Sequence, residues 1–301
     1  MNKTVAVIGS GIAGVTASIY LARAGIRTIM YTGDVVGGAL TYATAIENYT
    51  GFPTLVTGMD LMTHSLTQAE MLGVEIVEDT VTKCSIIADG NCTVGYSIEL
   101  ESGESIVVDG VIIAVGAKPK KLGLENESKF LGNGVHYCAL CDGAFYKDKE
   151  VAIVGGGETA MQEAAYLSGI CKKVYILVRK DKCRACDSAV YKACQHPNVK
   201  IMFNTSIKEL VGDDSLSHVI LNDYSRLDVS AVFVAIGHKT DLSFLDDPLK
   251  YWYTDGGYES PTYRFAGDCN DVKGHFRQAI VAAGDGATQA LSLIEEFNTR
   301  G

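Results

Sequence analysis

The chain has 301 residues, 47% of them apolar and 21% charged, with a formal net charge of −10. That length allows two domains, each with its own core, and the composition is that of a soluble globular protein. The acidic balance, with no long basic run, argues against nucleic acid as a partner and gives no reason to expect a membrane surface.

Only Met1-Asn2-Lys3-Thr4 precede the first apolar run, Val5-Ala6-Val7-Ile8. Four apolar residues are too few for a signal-peptide core or a membrane helix, so a cytoplasmic location is expected. Most of the nine cysteines are then expected to be reduced, and their odd number at irregular spacing does not fit a secreted disulfide framework. The Val5–Ile8 run reads as a buried strand and enters a glycine turn, Gly9-Ser10-Gly11-Ile12-Ala13-Gly14, with an apolar helical stretch from Ala17 to Ala24. Such a turn lets backbone approach a pyrophosphate at a helix N-terminus. The motif alone is weak, but here it follows a strand and opens a helix. The next strand, Thr28 to Thr32, ends without the acid that an NAD site uses to bind ribose. Val111-Ile112-Ile113-Ala114-Val115-Gly116 closes this unit, and Lys118-Pro119 leads out of it.

Next comes Cys138-Ala139-Leu140-Cys141-Asp142-Gly143. Two thiols at this spacing can close into a disulfide and reopen through a mixed disulfide. Asp142 puts a carboxyl beside the second sulfur, where it can shuttle a proton. Half a zinc site, or two unrelated buried thiols, are the competing readings. His136, two residues before Cys138, is placed to influence its thiolate.

The first unit then repeats. Val151-Ala152-Ile153-Val154 enters Gly155-Gly156-Gly157-Glu158-Thr159-Ala160, a helical stretch runs to Leu167, and Val232-Phe233-Val234-Ala235-Ile236-Gly237 closes the unit. Continuous apolar runs alternating with helices read as parallel strands covered on both faces. The second strand of this repeat, Val174 to Val178, ends in Arg179-Lys180 with Arg184 close behind. These cations suit a 2′-phosphate and favour NADPH over NADH; a solvated charge run is the alternative. A second C-x-x-C, Cys183 to Cys186, is read as coincidental, because it lies too far from Cys141 for a zinc ribbon and would crowd the nucleotide. The six histidines show no metal-ligand spacing, and no metal is expected.

After His238-Lys239-Thr240 the chain reaches Tyr263-Arg264-Phe265-Ala266-Gly267-Asp268, then Arg277-Gln278-Ala279-Ile280 and a helical stretch to about Phe297. These segments belong with the first unit. The expected fold class is α/β, with two Rossmann-like domains, the second inserted into the first. The first domain takes residues 1–118 and 245–301, and the inserted one takes 119–244.

Over nearly its whole length the chain resembles the low-molecular-mass thioredoxin reductases. The resemblance rests on Gly9 to Gly14, Gly37-Gly38-Ala39-Leu40-Thr41, Glu47-Asn48-Tyr49-Thr50-Gly51-Phe52-Pro53, Cys138 to Gly143, Gly155 to Ala160, Val178-Arg179-Lys180-Asp181 with Arg184-Ala185, Ala266-Gly267-Asp268 and Arg277-Gln278-Ala279. It implies FAD in the first domain, NADPH in the second, and transfer of electrons through the Cys138/Cys141 dithiol to thioredoxin. Cys141 would lie beside the flavin, Cys138 would attack thioredoxin, and Asp142 would be the acid. By the same resemblance FAD is lined by the first glycine turn with Ile12 and Ala13, by the Thr32 to Ala39 stretch including Gly33, and by Asn48, Val81, Gly116, Gly267, Asp268, Arg277, Gln278 and Ala279. NADPH is lined by Gly155, Gly156, Gly157, Glu158, Thr159, Ala160, Arg179, Lys180, Arg184, Ile236 and Gly237. It further implies a homodimer and a rotation of one domain against the other at the two crossings.

The chain departs from that family's pattern in places. Ala39 stands where Gln is usual, Ile12 and Thr50 each replace a Pro, the Tyr251 to Tyr263 segment is short, and Gly284-Asp285-Gly286-Ala287 replaces a more apolar, serine-bearing turn. A flavin-dependent dithiol oxidase, or another reductase on the same fold, is the alternative enzyme. A dinucleotide-sensing protein holding zinc is the alternative that is not an enzyme.

Overall fold

The computed structural model describes residues 3–43, 45–89, 92–255, 262–270 and 277–300. The chain divides into two compact units, Met1–Ala117 with Thr240–Gly301, and Lys118–Lys239. The return to the first unit thus falls at residue 240, not 245. Leu242 and Leu245 are the reason: both pack in the first unit's core, and Leu245 bridges to Cys84.

The first unit begins with β1 (Thr4–Ile8), α1 (Ile12–Arg23), β2 (Arg27–Tyr31), α2 (Gly58–Met71), β3 (Glu75–Val77), β4 (Val81–Asp89), β5 (Cys92–Leu100), β6 (Ser105–Val108) and β7 (Gly110–Ile113). The second contains β8 (Lys118–Pro119), β9 (Val135–His136), α3 (Ala139–Asp142), β10 (Glu150–Val154), α4 (Glu158–Ser168), β11 (Lys173–Val178), α5 (Asp187–Cys194), β12 (Val199–Phe203), β13 (Ile207–Gly212), β14 (Leu216–Leu221), β15 (Arg226–Leu227), β16 (Ala231–Val234) and β17 (His238–Lys239). The chain then completes the first unit with α6 (Asp247–Asp255), β18 (Tyr263–Phe265) and α7 (Ala279–Arg300). Of the unusual 251–263 segment, residues 256–261 lie outside the described residues.

Each unit is built on a five-stranded parallel sheet. The order is β18-β7-β1-β2-β3 in the first and β12-β11-β10-β16-β9 in the second. A three-stranded antiparallel sheet accompanies each, β4-β5-β6 and β13-β14-β15. The two-residue alternation of a strand sets the two cores of each unit. Val5 and Val7 face α1 and α7, where Leu21 and Leu293 are wholly buried. Ala6 and Ile8 face Tyr96 and Ile98 of β5. In the second unit Val151 and Ile153 pack on Ala160, Ala164 and Leu167 of α4, and Ala152 packs on Leu210 and Val219.

The internal repeat extends to single atoms. A Cβ at Gly9 would lie 2.4 Å from the Ala114 carbonyl oxygen, and a Cβ at Gly155 would lie 2.4 Å from that of Ala235. Ala114 and Ala235 each directly follow the closing strand of their unit, β7 and β16. Only glycine lets each turn fold tightly against its own sheet.

The units differ at one edge. The strand beside β7 is β18, from chain that follows the insertion, whereas the strand beside β16 is β9, from chain that precedes the other strands of its sheet. The two are topological equivalents. The residues after β18 are Gly267-Asp268, and those after β9 include Cys138.

Candidate active site

Binding sites of open parallel sheets lie at the carboxyl ends of the strands. β9 ends at His136, so the cysteine pair falls at that end of the second unit's sheet. Cys138 and Cys141 form a disulfide with Cα atoms 5.3 Å apart. Cys138 is extended and caps the short helix α3, and its Sγ accepts the Cys141 backbone N–H at 3.2 Å. The Cys138 carbonyl accepts from the Asp142 N–H at 3.1 Å, which fixes the next turn.

Asp142 Oδ2 lies 2.9 Å from His136 Nδ1, and His136 Nε2 lies 2.7 Å from the Tyr146 hydroxyl. The imidazole is 5% exposed and packs against Phe233 of β16, with ring centroids 5.4 Å apart, and edge-on to Tyr146 at 5.1 Å. Burial, and then the Asp142 charge, push the Tyr146 phenol up to about 12, so it remains a donor. On α4, the Glu163 carboxyl interacts with the backbone of Ala139, the residue after Cys138. Burial raises Glu163 to about 7, and its Oε2 is shielded from solvent without a hydrogen-bond partner among the described residues.

The second glycine turn opens α4, with Gly157 as its cap. The Cys183–Cys186 segment is tied back onto this turn. Arg184 and Ala185 both donate backbone N–H to the Gly156 carbonyl, at 2.6 and 3.0 Å, and Cys186 donates its N–H to Glu158 Oε1 at 2.7 Å. Arg184 Nη2 lies 3.5 Å from where a Gly157 Cβ would stand. Arg179 and Lys180 are exposed at the end of β11, and among the described residues neither they nor Arg184 form an ion pair. Thr159 is exposed, Ala160 is buried, and Ile236 and Gly237 follow β16. The Lys120 N–H bonds the Gly237 carbonyl at 2.9 Å. Cys183 and Cys186 are free thiols, and the Cys186 Sγ contacts Ser188 Oγ at 3.1 Å. Among the described residues no group of three or more His, Cys, Asp or Glu side chains could hold a metal ion.

In the first unit, Ser10 is buried and joins the glycine turn to the 32–38 stretch. Its Oγ accepts from the Gly37 N–H at 3.0 Å and reaches the Thr32 carbonyl at 3.4 Å. Gly38 rests against the turn, its notional Cβ 3.1 Å from the Gly11 Cα, whereas nothing lies within 4 Å of one at Gly11 or at Gly116. Gly33 follows Thr32 and bonds the Asp79 carbonyl at 3.1 Å. Asn48 Nδ2 donates to Gln278 Oε1 at 3.1 Å, drawing together segments 230 residues apart. Arg277 and Gln278 precede α7, which begins at Ala279. Val81 is buried with Ile8 and Tyr31, Ile12 and Ala13 pack in the core under the turn, and Ala39 is exposed.

Several residues have roles that the sequence did not assign. Asp285 of α7 accepts the Gly267 N–H at 2.7 Å and the Asn270 side chain at 3.0 Å, holding the Gly267-Asp268 turn. Gly286 beside it lets α7 approach α1, since a Cβ there would lie 2.2 Å from the Ala13 carbonyl. The Gly284 to Ala287 departure thus has a structural purpose. Glu163 did leave a signal: its spacing puts it beside the buried Ala160, Ala164 and Leu167 of α4, where it is half-buried and a carboxyl is out of place. Tyr146 left none.

The chain matches the family described as pyridine nucleotide-disulphide oxidoreductase over residues 3–286. It is 36% identical to a thioredoxin reductase of Neurospora crassa over 99% of this chain and 94% of that one. It is 36% identical to thioredoxin reductase 1 of Saccharomyces cerevisiae, over 96% and 97% respectively. Among solved structures, a thioredoxin reductase from Giardia duodenalis superposes with a TM-score of 0.87 at 31% identity, covering 99% of both chains.

Proposed function

Since the chain belongs to the pyridine nucleotide-disulphide oxidoreductase family, as one of its low-molecular-mass thioredoxin reductases, we propose how its own residues divide that work. It is a flavoprotein oxidoreductase that acts on disulfides, and Cys138 and Cys141 are its redox pair. The first unit holds FAD and the second holds NADPH in this reading. The residues fit both. Gly11 leaves open space where a side chain would intrude on a pyrophosphate, Ser10 draws Gly37 to the turn, and Gly38 rests against Gly11. Arg184 lies across the second turn, with Arg179 and Lys180 near enough in sequence to share a 2′-phosphate. No helix among the described residues is long and apolar enough to cross a membrane. The homodimeric state is carried from the family resemblance.

When bound, the nicotinamide supplies a hydride and the flavin turns it into electrons for the disulfide. The chain's residues do the rest. Cys138, half-buried at the start of α3, attacks the thioredoxin disulfide, and Cys141 resolves the mixed disulfide. Asp142 moves the protons that accompany the two sulfurs. The arrangement that carries this reading is the Cys138–Cys141 disulfide, capped by its own helix, beside a carboxylate at the binding edge of a nucleotide-type sheet. The test is thioredoxin disulfide reduction by the purified holoenzyme with NADPH, with NADH as control. Turnover with NADPH well above NADH is expected. Oxygen consumption without thioredoxin reduction would instead favour the dithiol oxidase.

A further inference from the structure

We propose that His136 is a positioning residue for thiol–disulfide exchange, holding the Asp142 carboxyl and its proton beside the dithiol. The inference rests on Asp142 being the acid, and the experiment below separates the two readings.

The ring is fixed on every side the structure describes. It belongs to β9, so its backbone is paired in the sheet, Phe233↔His136. Phe233 stacks on one face of it, and Tyr146 closes its edge. Both nitrogens are engaged, Nδ1 with Asp142 and Nε2 with Tyr146. Tyr146 is a phenol and can donate to Nε2. When Asp142 is ionised, a ring carrying one proton bears it on Nδ1 and donates it to the carboxylate, while Nε2 accepts from Tyr146. The hydroxyl, the imidazole and the carboxyl form a directed chain that ends next to Cys141. Asp142 is only partly buried, with its side chain 32% exposed. Without the ring it would be free to rotate toward water.

The balance of the step shows where this matters. A reduced Cys138/Cys141 pair passes two electrons and two protons to the thioredoxin disulfide. The Cys138 thiolate attacks one partner sulfur, forms the mixed disulfide and expels the other partner sulfur as a thiolate. Cys141 then attacks the Cys138 sulfur, which breaks the mixed disulfide and closes the enzyme's own. Each departing partner sulfur takes one proton, and these two protons leave the enzyme's two thiols. An alkyl thiolate is a poor leaving group unless a proton reaches it. His136 keeps the acid that carries this proton in one place.

The test uses the holoenzyme, reduced by one equivalent of NADPH and mixed in single turnovers with two disulfides. One is a thioredoxin in its disulfide form. The other is a dithiobis-nitrobenzoate, whose aromatic thiol leaves as a stable thiolate and needs no acid. His136→Phe keeps the ring stack and loses both hydrogen bonds. His136→Asn keeps an amide where Nδ1 stood. With thioredoxin, Asp142→Asn and His136→Phe are both expected to be slower by about tenfold or more, the worth of a hydrogen bond to a charged group. Their double variant should be no slower than Asp142→Asn alone, because the two act through one group. With the aromatic disulfide the slowing of His136→Phe should be several-fold smaller than with thioredoxin, and His136→Asn should recover much of the thioredoxin rate. If Asp142→Asn reduces thioredoxin at full speed, the acid reading fails and this proposal fails with it. If Asp142→Asn is slow while His136→Phe is not, or if their effects multiply, Asp142 stands and His136 is overturned. Equal slowing of His136→Phe on both disulfides means that the ring only supports the fold, and also overturns it. Should His136→Phe not fold, the comparison of His136→Asn with His136→Gln, which places its amide nearer the Nε2 position, decides between the same outcomes.

Discussion

Glu163 is a half-buried carboxyl beside the apolar face of its helix, interacting with the backbone of Ala139 between the two cysteines. The folded protein raises its ionisation to about 7 by burial. It therefore binds a proton more tightly in the folded than in the unfolded chain. The resulting contribution to stability is full below the ordinary carboxyl range and is lost as pH rises through about 7. Glu163→Gln keeps a hydrogen-bonding group beside Ala139 and removes the titration. Its melting temperature should exceed the parent's at pH 8, by the equivalent of about 1–3 kcal/mol, and approach it near pH 5. A difference that does not change with pH would show the carboxyl to be solvated. The two sulfurs are separable at the same scale. With Cys141→Ser no resolving thiol remains, so Cys138 should stay covalently joined to thioredoxin, and mass spectrometry of the adduct should find it there. An adduct through Cys183 would reverse our reading of the second C-x-x-C as incidental.

Among the elements, the glycine turns and the strands that feed them were legible because a buried parallel strand is written in consecutive residues. Val5 to Gly9 and Val151 to Gly155 state both strand and turn locally. The helices begin earlier than the apolar stretches suggested, at Ile12 and Glu158, since the turn itself supplies the first helical residues. The antiparallel sheets of residues 81–108 and 207–227 went unassigned, because their pairing is set by tertiary contacts more than by pattern. The Asp142–His136–Tyr146 chain was only half visible. His136 attracted notice for its nearness to Cys138, but its partner is the carboxyl, which only the three-dimensional contact of the two side chains shows. Gly9→Ala tests the first turn. The left-handed backbone there (φ 110°) and the nearby Ala114 carbonyl should cost roughly 2–4 kcal/mol and lower the flavin content of the purified protein. Flavin absorbance per chain equal to the parent's would show that the turn tolerates a side chain. The α7–α1 approach makes a parallel case: Gly286→Val should destabilise the first unit and leave nucleotide binding by the second unchanged, as read by quenching of protein fluorescence on NADPH addition.

At the scale of the whole molecule, the order of motifs along the chain was the most readable feature, and it was enough to place one unit inside another. The cofactor preference also belongs here, because it decides which pool of reductant the enzyme draws on. Replacing Arg179 and Arg184 by neutral residues should raise the KM for NADPH about ten- to hundredfold and leave that for NADH little changed. Equal use of both nucleotides by the parent enzyme would contradict the assignment. The exchanged edge strands have a further consequence, for biogenesis. The second unit draws all five of its parallel strands from one continuous stretch, ending with β16. The first must wait for β18, whose pairing with β7 closes a loop of about 150 residues. On a ribosome that releases the chain from its N-terminus, the inserted unit has everything it needs to condense while the outer sheet still lacks its last strand. The inserted unit, with its redox cysteines, thus matures first, and the sheet of the first unit closes only when β18 arrives.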